Sequence, residues 1–366
     1  MTGLIALAAG GTGGHMFPAE ALAQELKRRG YEILLVTDAR GERFASDFPA
    51  DERLLISAGT PSIGGPIAKV AAAASIAKGI FTTISAFKKN RPVMAVGFGG
   101  YPSLPAMKAA ALLNIPYGVH EQNGVLGRAN RMLAKGAQFT AHAFPTLEKL
   151  PPGVEKIEVG NPIRDAVREQ ADVEFQSVAD GGEIRVLIFG GSQGASIFSD
   201  APAKAIAARR EEFRSRLRIV HQVREDDIER VKALYRDANV SAEVAPFFKD
   251  LPARIAAAHL IISRAGASTV TELSTIGRGS ILTPLAIAMD DHQTVNARVL
   301  SEANAAILLP EAKFNEESLG TILSTLFANP ARLEAMAAAA KGVVQTDAAS
   351  RVADLVDHIA GARAAA

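Results

Sequence analysis

Twice in this chain an apolar run of strand length stops at a cluster of glycines and hands over to a helical pattern. Residues 4–9 lead into Gly10-Gly11-Thr12-Gly13-Gly14, and residues 183–189 lead into Gly190-Gly191-Ser192-Gln193-Gly194-Ala195. A strand, a glycine turn and a helix in that order open a βαβ unit with parallel strands. Pro18 opens the first helical pattern, with Leu22 and Leu26 one turn apart, and Gly30 closes it. Apolar runs at 32–37, 94–98, 115–120, 139–143 and 157–160 repeat the alternation, and runs at 217–223, 259–263, 280–284 and 305–309 repeat it after the second turn. The expected fold is α/β: two Rossmann-like, doubly wound parallel sheets facing a cleft. A chain of 366 residues also exceeds the roughly 250–300 residues at which one core stops growing. The expected boundaries are a first domain at 1–160, a polar linker at 161–182 carrying Gly181-Gly182, a second domain at 183–345, and a helical segment at 346–366 that packs back on the first domain. Ligands of such sheets bind outside the carboxyl ends of the strands.

Composition narrows the chemistry. There is no cysteine, which excludes disulfides, thiolate metal sites and a cysteine nucleophile. Residues 4–9 are too short for the core of a signal peptide and lack a basic leader, and no uninterrupted run reaches the roughly 18 apolar residues of a membrane span, so any membrane association is expected to be peripheral. The net charge is only +1, and nothing points to nucleic acid as a partner. Residues 1–160 nevertheless hold 17 Lys and Arg against 12 Asp and Glu, while the remainder holds 23 against 27. That asymmetry suits an anionic surface or ligand, and equally an ordinary solvated face.

The glycine turns are not generic nucleotide loops. No Lys-Ser or Lys-Thr follows Gly10 to Gly14, so the first is not a P-loop. Met16 stands where a dinucleotide fingerprint requires a small residue, although Asp38, at the end of the second strand, faintly echoes the ribose-binding acid. His15 can serve as a general base near neutrality, or simply satisfy a neighbouring carbonyl. Gly97-Phe98-Gly99-Gly100-Tyr101-Pro102 and His120-Glu121-Gln122-Asn123-Gly124 each follow a strand, which brings them to the same edge as His15. Polar side chains gathered there are costly unless they bind a ligand or one another. His15, Glu121 and Asn123 are the catalytic candidates.

In the second half, Ser192, Gln193 and Gly194 offer a hydroxyl, an amide and backbone N–H groups at a helix N-terminus, a natural seat for a diphosphate. Arg264, Gly266, Ala267, Ser268, Thr269 and Glu272 follow another strand, and a carboxylate there suits two ribose hydroxyls. In Asp290-Asp291-His292-Gln293, neighbouring acids seldom face one ion, so hydrogen bonding to a sugar is expected and no metal. Residues 68–89 set Ile76, Ile80, Ile84 and Phe87 at helical spacing among Lys78, Lys88 and Lys89. That pattern fits a helix lying on an anionic bilayer, or a helix packed on the sheet.

Taken together, GGTGGH at 10–15, GFGGYPS at 97–103, HEQN at 120–123, GNPIR at 160–164, GGSQGA at 190–195, SRAGA at 263–267 with Glu272, and DDHQTVNA at 290–297 resemble the MurG family, the undecaprenyl-diphospho-muramoylpentapeptide N-acetylglucosaminyltransferases of peptidoglycan synthesis. The resemblance implies a GT-B fold, an acceptor- and membrane-binding first domain and a donor-binding second domain. It also implies inverting transfer of GlcNAc from UDP-GlcNAc to the C4 hydroxyl of the muramoyl unit of lipid I, with no cofactor. His15 is its candidate base. Thr12, Gly13, Gly14, Asn123, Arg164, Ser192, Gln193, Gly194, Phe248, Arg264, Gly266, Ala267, Ser268, Thr269, Glu272 and Gln293 are its expected donor contacts, with the backbone near Phe248 reading uracil and Glu272 taking the ribose. Gly11, Gly13, Gly14, His15, Gly99, Gly100, Tyr101 and Asn130 are its expected acceptor contacts, and Ile76, Ile80, Ile84, Phe87, Lys88 and Lys89 its membrane contacts. It further implies a peripheral place on the cytoplasmic face of the inner membrane, with cell-wall synthesis or division proteins as partners. Ser196, Ser199 and Ser268 depart from the residues common in the family, which touches local contacts only. The rival readings are a UDP-GlcNAc 2-epimerase, a nicotinamide-dependent oxidoreductase and a silent nucleotide-sugar sensor.

Overall fold

The computed structural model describes residues 3–59, 65–178, 182–191 and 196–364. It divides into a first unit, Met1–Arg164 with Gln345–Ala366, and a second unit, Asp165–Val344.

The first unit runs β1 (Leu4–Ala8), α1 (Gly13–Arg28), β2 (Glu32–Thr37), β3 (Glu52–Leu55), α2 (Pro66–Lys89), β4 (Met94–Gly97), α3 (Gly100–Leu112), β5 (Tyr117–Glu121), α4 (Arg128–Leu133), β6 (Thr140–His142) and β7 (Ile157–Glu158). The second runs α5 (Asp165–Arg168), β8 (Ile184–Phe189), α6 (Ser196–Ala207), α7 (Glu211–Arg214), β9 (Leu217–Gln222), α8 (Ile228–Asp237), β10 (Ser241–Ala245), α9 (Leu251–Ala257), β11 (Leu260–Ser263), α10 (Ala267–Ile276), β12 (Ser280–Leu282), α11 (His292–Ser301), β13 (Ala306–Leu308), α12 (Glu316–Ala328) and α13 (Pro330–Ala340). The chain then returns to the first unit as α14 (Ala348–Ala364).

Every strand pairing is parallel, in the orders β3-β2-β1-β4-β5-β6-β7 and β10-β9-β8-β11-β12-β13. In each sheet the winding direction reverses beside the first strand, between β1 and β4 and again between β8 and β11. The turns that leave those strands therefore border the crevice where doubly wound sheets take their ligands.

Period-2 side-chain alternation builds the first unit's core. Ile5 and Leu7 join α1 and α14 through Leu22, Leu26, Val352 and Val356, whereas Leu4, Ala6 and Ala8 face Phe87, Leu104 and Met107 of α2 and α3. Arg29 fastens α14 by ion pairs to Asp354 at 2.7 Å and Asp357 at 2.6 Å. In the second unit, fully buried Arg278 donates to the carbonyls of Ala256, Ile276 and Gly277, where α9 and α10 end, and to those of Val173 and Glu174 in the segment after α5. A cation is well placed among helix C-termini.

The α2 surface corrects the expectation for residues 68–89. Phe87 is fully buried, and Ile76 and Ile84 pack beside it against the core, so this stripe faces inward and Ile80 is only half-exposed. Ile67, Val70 and Phe81 are large apolar side chains that reach solvent, at 88, 71 and 72% exposure, with Lys78, Lys88 and Lys89 exposed around them. Residues Val70–Lys89 have a mean hydropathy of 1.5, long and apolar enough to cross a membrane by composition. Counting uninterrupted apolar runs misses this because Lys78 breaks the run. The helix is nevertheless seated on its own domain: a Cβ at Gly79 would come within 3.1 Å of Pro105 in α3.

Candidate active site

The first unit builds its site around His15. Helix α1 begins at Gly13, five residues before Pro18, because glycines of low helix propensity still adopt helical geometry when the preceding strand aims them. His15 therefore lies in the first turn of α1. Its Nδ1 is 3.2 Å from the Gly10 carbonyl oxygen and 3.3 Å from Thr12 Oγ1. A carbonyl oxygen only accepts, so Nδ1 carries the proton and Nε2 holds the basic lone pair.

The turn after β4 closes on the same ring. Gly99 and Gly100 have φ of 82° and 70°, which only glycine adopts readily. A Cβ at Gly99 would lie 3.4 Å from His15 Nε2, and one at Gly100 would lie 3.0 Å from the Gly10 oxygen. Ser103 Oγ, buried 2.7 Å from the Ala8 oxygen and 2.6 Å from the Gly99 oxygen, links the two strand ends. Neither α1 nor α3 carries an acid in its first turn or a side-chain cap. Gly13, Gly14, Gly100 and Tyr101 thus present two positive helix ends beside one histidine, a setting suited to an anion.

Two acids have structural duties. Asp38 Oδ1 accepts from Gly11 N at 3.0 Å and Gly41 N at 2.9 Å, while Oδ2 pairs with Arg40 at 2.8 Å. It shapes the first glycine turn, and its resemblance to a ribose-binding acid ends there. Glu121 is also fully engaged by its neighbours. Its Oε1 accepts from Asn123 N and Nδ2 at 3.1 and 2.9 Å, and its Oε2 accepts from Gly127 N at 2.8 Å and Asn130 Nδ2 at 2.9 Å. Buried and saturated, it holds the loop that carries Asn123 and the helix that carries Asn130. His120, beside it, binds the Gly160 oxygen at 2.9 Å, and burial lowers its pKa to about 4. Arg164 stacks 3.9 Å above the Phe17 ring, one residue before the chain enters the second unit.

The second unit repeats the plan. Of the turn after β8, Ser192, Gln193 and Gly194 lie outside the described residues. The turn after β11 ends at Gly266, and α10 opens with Ala267, Ser268 and Thr269, no acid in the first turn and no side-chain cap. Ser268 Oγ is buried there without a hydrogen-bond partner among the described residues. Glu272 follows one turn later, mostly buried. Phe248 is buried under Arg254, 4.2 Å from its ring.

Arg264 anchors a loop. Its Nη1 donates to Glu311 Oε2 at 2.7 Å and to the carbonyls of Thr283 and Pro284 at 3.3 and 3.2 Å, which holds the segment after β12. Gln293, at the start of α11, accepts from Leu285 N of that loop at 3.0 Å. Asp290 and Asp291 between them have φ of 59° and 54°, strained positions of the kind that cluster at ligand sites. Asn296 Nδ2 donates to the Ala265 oxygen at 3.1 Å, tying α11 to the turn before α10. Among the described residues, no group of three His, Asp or Glu side chains converges as a metal site. Ser103 and Glu311 were missed by sequence reasoning: the first sits unremarked inside GFGGYPS, and the second carries no motif.

Comparison with known proteins places these parts in one family. The glycosyltransferase family 28 N-terminal domain matches residues 5–142, and the family 28 C-terminal domain matches residues 185–358. The UDP-N-acetylglucosamine--N-acetylmuramyl-(pentapeptide) pyrophosphoryl-undecaprenol N-acetylglucosamine transferase of Caulobacter vibrioides is 46% identical over 362 residues, covering 98% of this chain and 100% of that protein. The protein of the same name from Phenylobacterium zucineum is 45% identical over 359 residues, 98% of each chain. The crystal structure of Acinetobacter baumannii MurG superposes with a TM-score of 0.77 at 32% identity, covering 97% of this chain and 99% of that one. A UDP-N-acetylglucosamine 2-epimerase structure, at 13% identity and a TM-score of 0.67, shares the fold alone.

Proposed function

The chain belongs to glycosyltransferase family 28 as a member of the MurG family, and from that premise we propose how this GT-B enzyme transfers GlcNAc from UDP-GlcNAc to lipid I. The product is lipid II, the disaccharide-bearing precursor of peptidoglycan. The epimerase reading is the weaker one, since it rests on a shared fold alone.

The observation that carries the mechanism is the Gly10 carbonyl beneath His15 Nδ1. It fixes the tautomer whose Nε2 can take the proton of the muramoyl C4 hydroxyl. The oxygen so released attacks C1 of GlcNAc, the bond from C1 to the β-phosphate oxygen breaks, and the configuration at C1 inverts as UDP leaves. The N-termini of α1 and α3, rich in glycine, hold the lipid diphosphate by backbone N–H groups of Gly13, Gly14, Gly100 and Tyr101. Asn130 belongs to that acceptor side through Glu121, which orients it.

The N-terminus of α10 stabilises charge developing on the departing diphosphate, the work of a preorganised dipole. Ala267, Ser268 and Thr269 supply its N–H groups, and the buried Ser268 hydroxyl adds a donor. Within the second unit, Glu272 takes the ribose hydroxyls, the backbone near Phe248 reads the uracil, and Gln293 addresses the sugar. Arg264 acts from behind, through the loop that it anchors.

The first unit meets an anionic membrane at α2. The support is the exposed set of Ile67, Val70 and Phe81 within a border of Lys78, Lys88 and Lys89, the pattern of an interfacial helix. On this reading the enzyme works at the cytoplasmic face of the inner membrane, within reach of its lipid substrate and of cell-wall synthesis or division proteins. Radiolabelled UDP-GlcNAc with a short-chain lipid I analogue tests the whole reading: labelled disaccharide lipid supports it, and donor binding without product defeats it.

A further inference from the structure

Glu311 lies in a short turn after β13, 47 residues beyond Arg264. Its Oε2 accepts both Arg264 Nη1 at 2.7 Å and Ala286 N at 2.9 Å. Arg264 in turn holds the carbonyls of Thr283 and Pro284. The peptide next to Ala286 is the one whose Leu285 N–H donates to Gln293 Oε1. Because a backbone N–H only donates, it settles which way the Gln293 amide points: the oxygen is committed inward and Nε2 remains the donor.

We infer that Glu311 is a positioning residue for the donor sugar, one that clamps the 283–286 segment and thereby sets the direction of the Gln293 amide. The inference rests on the reading of Gln293 as a sugar contact. Charge makes the clamp effective, because a carboxylate shared between a guanidinium and a peptide N–H holds both more strongly than a neutral acceptor would. A loosened clamp leaves the nucleotide seat at α10 in place but lets the amide of Gln293 wander. Its effect therefore falls on UDP-GlcNAc, which carries the sugar, and spares UDP, which does not.

The test measures UDP and UDP-GlcNAc affinity by titration calorimetry, together with KM, kcat and thermal unfolding, for wild type, Glu311→Ala and Glu311→Gln. Glu311→Ala is expected to weaken UDP-GlcNAc by about tenfold, about 1.4 kcal/mol, and to raise the KM for UDP-GlcNAc to match, with UDP affinity within about twofold of wild type. Glu311→Gln keeps an oxygen for the Ala286 N–H and recovers part of the loss. If the alanine variant fails to fold, the glutamine variant shows the same selective weakening in smaller measure. Equal weakening of UDP and UDP-GlcNAc, or no change in either, overturns the inference. Wild-type protein that binds UDP-GlcNAc no better than UDP and transfers no sugar defeats the donor-site reading itself, and the inference with it.

Discussion

Asn130 Nδ2 donates to Glu121 Oε2 at 2.9 Å, closing a set of four donors around one buried carboxylate. Glutamine at position 121 would turn an NH2 group toward one side of that set and leave N–H groups facing N–H groups. Each buried polar group left unpaired costs about 1–3 kcal/mol. Glu121→Gln is therefore expected to lower the melting temperature of the first unit and reduce kcat by at least an order of magnitude. An active, fully stable Glu121→Gln enzyme would show that the carboxylate does not organise the loop.

The contact between Gly100 and the Gly10 oxygen predicts a different failure. Alanine at position 100 places a Cβ 3.0 Å from that oxygen on a backbone with φ of 70°. The left-handed conformation alone costs about 1–2 kcal/mol for a residue with a Cβ. Because the same oxygen fixes His15, Gly100→Ala is expected to depress kcat far more than UDP binding, which a coupled transfer assay and calorimetry on one preparation would separate. Parallel loss of both would contradict the arrangement.

Stability should fall in mild acid. Burial lowers the pKa of both His120 and His221 from 6.5 to about 4. Between those values the unfolded chain binds protons that the native protein refuses, so stability rises with pH across that window and is lost as pH falls through it. The slope is up to about 1.4 kcal/mol per pH unit for each histidine. His221→Gln should remove one proton's share of the slope in denaturant titrations between pH 4 and pH 6.5. An unchanged slope would mean that His221 is charged in the native state.

Much of this architecture is legible from residue patterns, and the exceptions have physical causes. Strands such as β1 and β8 are buried on both faces and read as unbroken apolar runs, which also fixes where their glycine turns fall. The edge strands β3 and β10, ERLL and SAEVA, carry charges on exposed faces and give no such run. The helical spacing of Ile76, Ile80, Ile84 and Phe87 identifies a stripe but not the side it faces, because alanines on the opposite side suit either environment. The place of His15 in the turn after β1 is legible because that turn is local. The roles of Arg264 and Glu311 are not, because their ion pair joins distant turns and only the folded sheet brings them together.

Membrane docking is tested on α2 without touching the sugar chemistry. Phe81→Glu is expected to weaken cosedimentation with vesicles containing anionic phospholipid while leaving the rate on a water-soluble acceptor analogue near wild type. Phe87→Glu, which buries a charge in the core, should instead unfold the first unit. Unaltered vesicle binding by Phe81→Glu would move the membrane surface elsewhere.

The central claim is most directly tested by the rate of labelled GlcNAc transfer to a lipid I analogue, measured for the wild type beside His15→Ala at saturating UDP-GlcNAc. Loss of a general base predicts a kcat lower by about 10²–10⁴-fold with UDP affinity retained. Transfer by His15→Ala at the wild-type rate would contradict the role of His15, and the absence of transfer by the wild type would contradict the assignment as a whole.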